Sequence, residues 1–331
     1  MCFDDMILIA FQINLNFSMD QGKGVLLPEE ISPFSKGSNQ ERSTIRSQFC
    51  GKIELLDNLN FICKNNHNVN NPIRFEAPIG LPNLGNTCYL NTALQCLLNM
   101  KLLIQYVLNV PCNIRKKTKF LNLFSMFVVS YQTKKSNDIL LYANLIKCEL
   151  AKKNEEFNGT KKCDMGECLE EILDILDQEV QELCDKNILA GNNFICELFT
   201  YKIGSKKRCK NCQSNAFLWE PSKHFPCELE CGSSDIVPFL NCVRETISLF
   251  NKNCQICTGN PLGLEEWEKI PSIFLFHLSR LKSEGGKVVK IKKKVKIPLK
   301  FSIGLQTYTL SSVSSHLGEF TTEGHWIIDL R

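Results

Sequence analysis

The chain has 331 residues, 44% of them hydrophobic, which is enough for one large or two modest domains with a buried core. Its formal net charge of +4 is too small to indicate a protein that binds nucleic acid by charge alone. Eighteen cysteines without a secretory signal sequence predict a reducing compartment, the cytoplasm or the nucleus, where cysteines serve as apolar residues, metal ligands or nucleophiles.

Residues 1–79 carry no strong periodic pattern. Their first apolar run is interrupted by Gln12, Asn14 and Asn16 and is too short to cross a membrane. The Asn-rich stretch over residues 64–72 has the composition of a linker. We therefore predict a domain boundary near residue 79, preceded by an N-terminal segment of unknown role that is partly linker.

Helical spacing dominates the next hundred residues. Apolar side chains recur every three or four positions over residues 89–100, 120–132 and 138–152, which predicts three helices. Residues 164–183 form a strongly amphipathic segment, with an apolar stripe on one face and acidic residues on the other. A long surface helix that packs one face on the core is expected there.

After residue 195 the pattern changes to short β-like runs separated by Gly and Pro. These runs are "FICELFTYKI", "SIFLFHLSR", "KKVKIPLKF", "YTLSSVSSH" and "HWIIDL". Helices followed by antiparallel strands predict an α+β fold with segregated lobes.

Cys88 lies where the turn-forming residues of "NLGNTC" give way to the first predicted helix. The N-terminus of a helix offers unpaired N–H groups and a partial positive charge, which favour a thiolate nucleophile. A buried structural cysteine, as expected for Cys96 on the same helix, is the alternative. A cysteine nucleophile also needs a base. His325 suits that role because Gly324 allows a turn before it and the strand "HWIIDL" would hold it rigidly.

Two Cys-x-x-Cys pairs, Cys209 with Cys212 and Cys254 with Cys257, form a separate pattern. Each pair can give two thiolates to one tetrahedral Zn²⁺, which predicts one structural zinc ion per chain. Coincidence in a cysteine-rich chain is an alternative, and a redox role is disfavoured because no βαβ pattern surrounds either pair. A zinc-ribbon module that binds nucleic acid is a further alternative, but few aromatic residues accompany the basic cluster "KKRCKNC".

Three segments resemble, in chain order, motifs of the ubiquitin-specific proteases. "GLPNLGNTCYLNTALQCLL" resembles their cysteine box, "IPSIFLFHLSRL" the strand before their histidine box, and "HLGEFTTEGHW" the histidine box itself. The two Cys-x-x-Cys pairs match the zinc ribbon of that family. The resemblance covers residues 80–331 and implies a papain-like fold with a helical thumb, a β palm and zinc-tipped fingers that grip ubiquitin.

The resemblance assigns Cys88 as the nucleophile, His325 as the general base and Asn83 as a donor to the oxyanion. The implied reaction is hydrolysis of the (iso)peptide bond after the C-terminal glycine of ubiquitin, through an acyl-enzyme. The implied partners are ubiquitin and ubiquitinated proteins, with no membrane partner.

Substrate contacts are also implied by the resemblance. In "CDMGECL", Asp164 and Glu167 match acidic residues of a segment that contacts the tail of ubiquitin, and His316 of the histidine box is expected to contact substrate. The segment departs from the family pattern, since cysteines stand where Gln and Phe are usual. Asp164 could instead simply cap its helix.

Two further departures concern the catalytic histidine. Trp326 stands where the family has Tyr, and no residue follows Arg331, although the family places an Asp or Asn on a later strand to orient the histidine. Asp329 lies about 13 Å from His325 along an extended strand, too far to replace it. The catalytic domain is therefore expected to lack its last strands and to work as a Cys-His dyad. A catalytically impaired or inactive ubiquitin-binding protein is the alternative function.

Overall fold

The structure is a computed structural model that describes two short N-terminal strands and most of the chain after residue 78. The described residues are 2–3, 6–13, 78–205, 208–209, 211–212, 221–229, 236–243, 257, 261–262, 265–291, 293–303, 305–318 and 324–331. The predicted linker at residues 64–72 and the predicted zinc ligand Cys254 lie outside them.

The helical part of the chain is built as the spacing of its apolar residues predicts. Its helices are α1 (Cys88–Leu98), α2 (Lys101–Asn109), α3 (Cys112–Arg115), α4 (Phe120–Gln132), α5 (Ser136–Lys153), a 3-10 turn (Glu155–Phe157), α6 (Met165–Asp185) and α7 (Phe194–Phe199). The four helices predicted from periodicity are confirmed by α1, α4, α5 and α6. Among the described residues, no helix combines the length and the apolar character needed to cross a membrane.

Carboxylates fix the start of two of these helices. Asp164 precedes α6, and its side chain accepts a hydrogen bond from the backbone N–H of Glu167 at 3.0 Å, as an N-cap does. Glu179 of α6 accepts hydrogen bonds from the backbone N–H groups of Phe120 at 2.8 Å and Leu121 at 2.7 Å, at the start of α4. The negative charge satisfies unpaired donors and complements the helix dipole. The same carboxylate therefore ties α4 to α6.

The run "FICELFTYKI" was predicted to be a strand, and its first half is instead α7. Asn193 starts this helix, since its Oδ1 accepts from the backbone N–H of Ile195 at 3.0 Å. Its Nδ2 donates to the carbonyl of Asp177 on α6 at 2.9 Å. A short apolar run does not distinguish a buried helix from a buried strand. Here the cap formed by Asn193 favours the helix.

The strands follow α7, apart from two at the N-terminus. They are β1 (Cys2–Phe3), β2 (Met6–Ile13), β3 (Lys202–Ser205), β4 (Arg208–Cys209), β5 (His224–Glu228), β6 (Ile236–Pro238), β7 (Pro261–Leu262), β8 (Glu265–Lys269), β9 (Ile273–Ser279), β10 (Leu281–Glu284), β11 (Lys287–Lys290), β12 (Lys294–Lys296), β13 (Lys300–Ile303), β14 (Gln306–Leu317) and β15 (His325–Leu330). The main sheet has the order β13-β14-β2-β9-β5, with β15 paired to β14 beside β13. Its pairs are antiparallel except β5 with β9, and this parallel pair was not predicted.

Strand β2 corrects the predicted domain boundary near residue 79. It lies inside the main sheet, antiparallel to both β14 and β9, and pairs Ile9 with Val313 and with Phe276. Gln12, which interrupts the apolar run in the sequence, donates from Nε2 to the carbonyl of Asn99 at 3.1 Å. Residues 6–13 are therefore part of the palm, and they supply a central strand that the sequence analysis assigned to a separate segment.

Aromatic rings fill the face of the sheet around β2. Phe11 is fully buried and meets the ring of Phe301 edge-on at 4.6 Å between centroids, with Phe239 at 5.7 Å and Phe276 at 6.0 Å. Such edge-to-face and offset contacts add to the free energy of burying large apolar surfaces. The N-terminal strand is thus packed into the core of the sheet as well as hydrogen-bonded within it.

Candidate active site

Cys88 is the first residue of α1, and its side chain is half-buried while Tyr89 and Leu90 behind it are fully buried. The first turn of α1 carries no acidic residue, so nothing there opposes a negative charge on sulfur. Helix α1 packs against both α6 and β15. Cys88 thus starts a helix that packs against the strand beginning at His325, and its role as the nucleophile stays a prediction.

Asn83 lies in the loop before α1 and has an exposed side chain. Its Oδ1 accepts hydrogen bonds from the backbone N–H of Gly85 at 3.0 Å and from the hydroxyl of Thr87 at 3.2 Å. The loop turns through Gly85 and Asn86, both with positive φ (94° and 51°). The amide oxygen is thus engaged inside the loop, and the amide nitrogen, for which no hydrogen bond to a described residue is found, can act as a donor.

His325 opens β15 opposite Leu317, the last residue of β14, and both side chains are exposed. The next pair in the register, His316 with Trp326, faces the other side of this two-stranded ribbon and is buried. Side chains alternate between the two faces of a strand, so His325 and His316 point in opposite directions.

His316 therefore does not fit the expected contact with substrate. Only 7% of its surface is exposed, and its ring lies 5.0 Å from that of Trp326 between centroids. The same ring lies so close to Gly324 that any side chain at position 324 would collide with it and with the carbonyl of Leu317. On the buried face of the ribbon, His316 packs against Gly324 and Trp326, the residues before and after His325.

Trp326, which replaces the usual Tyr, is bound to the loop before α6. Its indole Nε1 donates a hydrogen bond to the backbone carbonyl of Cys163 at 3.2 Å. The thiol of Cys163 contacts the carbonyl of Glu156 at 3.1 Å, and burial raises the pKa of this thiol. The unusual Trp and the unusual Cys thus take part in one contact between β15 and the start of α6.

Asp164 and Glu167 lie at the start of α6, beside a pair of histidines that sequence reasoning did not select. His277 on β9 lies across from this first turn, and a Cβ at Gly166 would be 3.9 Å from its Cε1. Surrounding protein atoms desolvate the ring of His277 and lower its pKa, which Asp164 partly offsets. Desolvation and the charge of Asp164 together raise the pKa of Glu167.

His224 on β5 also lies beside an acidic residue of α6. Its Nδ1 lies 3.5 Å from Oε1 of Glu170 on α6, and this contact lowers the pKa of the Glu170 carboxyl. The parallel pairing of β5 and β9 brings His224 and His277 to the same face of the sheet, since the register pairs His224 with Leu275 and Pro226 with His277. Only that unpredicted pairing could have identified them as neighbours.

Asp329 does not orient His325. It lies opposite Val313 in β15, and its carboxylate binds the guanidinium of Arg331 at 2.6 Å. Within the described residues, the imidazole of His325 has no hydrogen-bond partner. The residue expected to fix the orientation of this ring is therefore not found in the described part of the chain.

The predicted zinc ligands are only partly described. Strand β4 contains Cys209, and its antiparallel pairing with β7 places Cys209 opposite Pro261, a few residues after Cys257. This pairing joins the strand that carries Cys209 to the strand that begins at Pro261, and Cys212 and Cys257 form no disulfide. Because Cys254 lies outside the described residues, no group of three potential ligands is found among those that are described. The four-thiolate zinc site stays a prediction.

Comparison with known proteins places this fold among the papain-like cysteine proteases. Residues 79–331 match the family described as ubiquitin carboxyl-terminal hydrolase, so the chain belongs to that family, as a ubiquitin-specific protease catalytic domain. It is 23% identical over 298 residues to ubiquitin carboxyl-terminal hydrolase 2 of Bos taurus, and the match covers 75% of this chain and 48% of the bovine protein. The chain thus spans about half the length of that relative.

Two solved structures of the SAGA DUB module share the fold. The Ubp8/Sgf11/Sus1/Sgf73 module bound to monoubiquitin matches with a TM-score of 0.59 and 20% identity, over 85% of this chain and 67% of the other. The same module bound to ubiquitin aldehyde matches with a TM-score of 0.58 and 19% identity, over 85% and 68%. At this identity the matches show the shared architecture, and the predicted α+β class is confirmed.

Proposed function

We propose that this chain is a deubiquitinating thiol protease that hydrolyses the (iso)peptide bond after the C-terminal glycine of ubiquitin. The observation that carries the proposal is the placement of Cys88 at the start of α1 and of His325 at the start of β15, on two elements packed against each other. Membership of the ubiquitin carboxyl-terminal hydrolase family supplies the substrate class.

Each step of the reaction has a residue to perform it. His325 takes the thiol proton of Cys88, the resulting thiolate attacks the carbonyl carbon of the scissile bond, and the amide nitrogen of Asn83 donates to the oxyanion that forms. His325 gives a proton to the leaving amine, which leaves a thioester between ubiquitin and Cys88. His325 then takes a proton from water, whose oxygen attacks the thioester and releases ubiquitin with a free C-terminus.

Asp164 and Glu167 are proposed to bind the basic tail of ubiquitin. Both carboxylates lie at the start of α6, at the side of the fold where α6 faces β9. Glu167 is exposed and makes no salt bridge within the described residues, so its charge is open to a cationic partner. Asp164 keeps one oxygen for its helix cap and has the other for substrate.

One structural Zn²⁺ is proposed to be held by Cys209, Cys212, Cys254 and Cys257. The support is the spacing of the two Cys-x-x-Cys pairs, together with the pairing of β4, which contains Cys209, with β7, which follows Cys257 in the chain. Zinc would cross-link the two Cys-x-x-Cys segments and would take no part in the chemistry. We also propose a cytoplasmic or nuclear location, since no disulfide joins the cysteines whose side chains are described.

A ubiquitin-binding protein with little or no activity is the second candidate. The observation in its favour is the imidazole of His325, which no described side chain orients. Incubation with a ubiquitin-propargylamide probe separates the two candidates, because the protease forms an adduct at Cys88 and a pure binder does not. The Cys88→Ala variant is the control, and a wild-type protein that is folded and forms no adduct would favour the binder.

A further inference from the structure

Lys290, the last residue of β11, holds the end of the ribbon that carries His325. Its Nζ donates a hydrogen bond to the backbone carbonyl of His316 at 2.9 Å and another to that of Gly318 at 2.7 Å. Strand β14 ends at Leu317, between these two acceptors, and its pairing with β15 ends at the Leu317–His325 pair. One half-buried ammonium group therefore binds the backbone on both sides of the residue that faces His325.

The position of His325 depends on this backbone more than is usual for a catalytic side chain. Its imidazole has no hydrogen-bond partner within the described residues, so its location is set by the start of β15. That start is fixed on one side by the ring of His316 against Gly324 and by the indole of Trp326 on Cys163. On the other side, the contact among the described residues is the last pairing with β14, and Lys290 binds the carbonyls at that point.

We propose that Lys290 is a positioning residue for His325, which acts through the backbone of residues 316–318. This role rests on the proposed function, in which His325 is the general base. Hydrogen bonds from a charged donor are shorter and stronger than neutral ones, so loss of the ammonium group frees both carbonyls and loosens the last pair of the ribbon. A displacement of about 1 Å at a catalytic group can cost about 100-fold in rate.

The test compares three variants of the full chain. Lys290→Met removes the charge and keeps the length of the side chain, whereas Lys290→Arg keeps a cation that can reach two carbonyls. Lys300→Met is the matched control, because Lys300 lies on β13 of the same sheet, is exposed and makes no hydrogen bond with its side chain to a described residue. Hydrolysis of a ubiquitin–fluorophore substrate gives kcat and KM for each.

We expect Lys290→Met to lower kcat by about 10- to 100-fold, with KM and the thermal midpoint close to those of Lys300→Met. Lys290→Arg should recover most of kcat. Equal kcat values for Lys290→Met and Lys300→Met would overturn the proposal. So would a Lys290→Arg variant as impaired as Lys290→Met, because that result shows that the charge on the two carbonyls is not what matters.

A second measurement does not depend on activity. The chain has five histidines, so the imidazole signals of His325 can be assigned in a proton–carbon NMR spectrum with the His325→Ala variant. Lys290→Met should shift or broaden the His325 signals and leave those of His224 unchanged. Unchanged His325 signals would refute the positioning role even if the wild-type protein hydrolyses nothing, and absence of hydrolysis alone would refute only the proposed function.

Discussion

The indole nitrogen of Trp326 and the backbone carbonyl of Cys163 are joined by a 3.2 Å hydrogen bond, which fastens the residue after His325 to the loop before α6. Both residues stand at positions where the chain departs from the family pattern. The indole of Trp326 donates to a backbone carbonyl of this loop. The unusual residues at the two positions are therefore compatible with each other.

Trp326→Phe removes this donor and keeps an aromatic ring. We expect a loss of about 1 kcal/mol in the free energy of unfolding, since a partly buried carbonyl loses its partner, and a lower kcat because β15 is held less firmly at His325. Urea unfolding and ubiquitin–fluorophore hydrolysis measure the two effects. Ile327→Ala, at the exposed neighbouring position, is the control, and a Phe variant equal to it in both assays would contradict the role given to the hydrogen bond.

Cys88 and Cys96 lie on the same helix and should differ in reactivity. Cys96 is fully buried beside Ser312, and burial raises its pKa to about 12, so it is protonated and inaccessible at neutral pH. A ubiquitin-propargylamide probe should be captured by wild type and by Cys96→Ala, and by Cys88→Ala not at all. Peptide mapping that finds the adduct at another cysteine would displace Cys88 as the nucleophile.

Turnover is expected to be detectable but slow. In a serine triad, corruption of the member that orients the histidine lowers turnover by about 10⁴-fold. Turnover by a cysteine nucleophile should fall by a smaller factor, because a thiol is a stronger nucleophile than a hydroxyl near neutral pH. A hydrolysis rate equal to that of a family member whose histidine is oriented by an Asp or Asn would mean that a residue outside the described part of the chain orients His325.

The zinc site predicts a definite metal content. Elemental analysis of the purified chain should give about one zinc per molecule, as four thiolates on one ion require. The double change Cys209→Ser with Cys254→Ser should abolish it, whereas Cys112→Ser with Cys148→Ser, at two exposed thiols, should not. Retention of zinc by the first variant would disprove the ligand assignment.

Asp164 caps α6 and is proposed to bind ubiquitin, and substitution can separate the two roles. Asn is as good an N-cap as Asp, so Asp164→Asn with Glu167→Gln removes both charges and keeps the cap of α6. We expect weaker binding of ubiquitin with unchanged helicity in circular dichroism. Asp164→Ala should in addition destabilise the fold by about 1 kcal/mol. Unchanged affinity in the Asn and Gln variant would leave Asp164 as a cap alone.

Substitution of Phe11 tests whether β2 contributes to the stability of the main sheet. Its ring is fully buried among Phe239, Phe276 and Phe301, so Phe11→Ala should lower the free energy of unfolding by about 3–5 kcal/mol. Gln12→Ala, at the next position, should cost less because Gln12 is only half-buried and contributes hydrogen bonds. Equal and small losses for both would show that residues 6–13 are not needed by the sheet.

The helices could be predicted because their signal is local. The apolar stripe of α6 and the cap residue Asp164 lie within one stretch of sequence, and Cys88 marks the start of α1 for the same reason. The strand β2 could not be predicted, because its partners Phe276 and Val313 lie far away in the chain and Gln12 disguises its apolar pattern.

The same difference between local and long-range signals applies to the residues of the candidate site. Cys88, Asn83 and His325 could be proposed from motifs, whereas the packing of His316 against Gly324 and Trp326 depends on which face of the ribbon it occupies. Lys290 could not be selected from sequence, because its acceptors are backbone carbonyls, which every residue has. His224 and His277 required knowledge of a parallel pairing that sequence patterns do not specify.

The position of β2 in the main sheet affects how the chain can fold during its synthesis. The ribosome produces β2 before any other part of the main sheet, yet both strands that flank it, β9 and β14, are synthesised only after helices α1–α7. At about 5–20 residues per second, the nascent chain spends on the order of tens of seconds with this apolar strand lacking its two neighbours. The palm cannot close around it until β14 has left the ribosome. Chaperone dependence and aggregation during expression should therefore be governed by the first residues of the chain more than by the catalytic boxes.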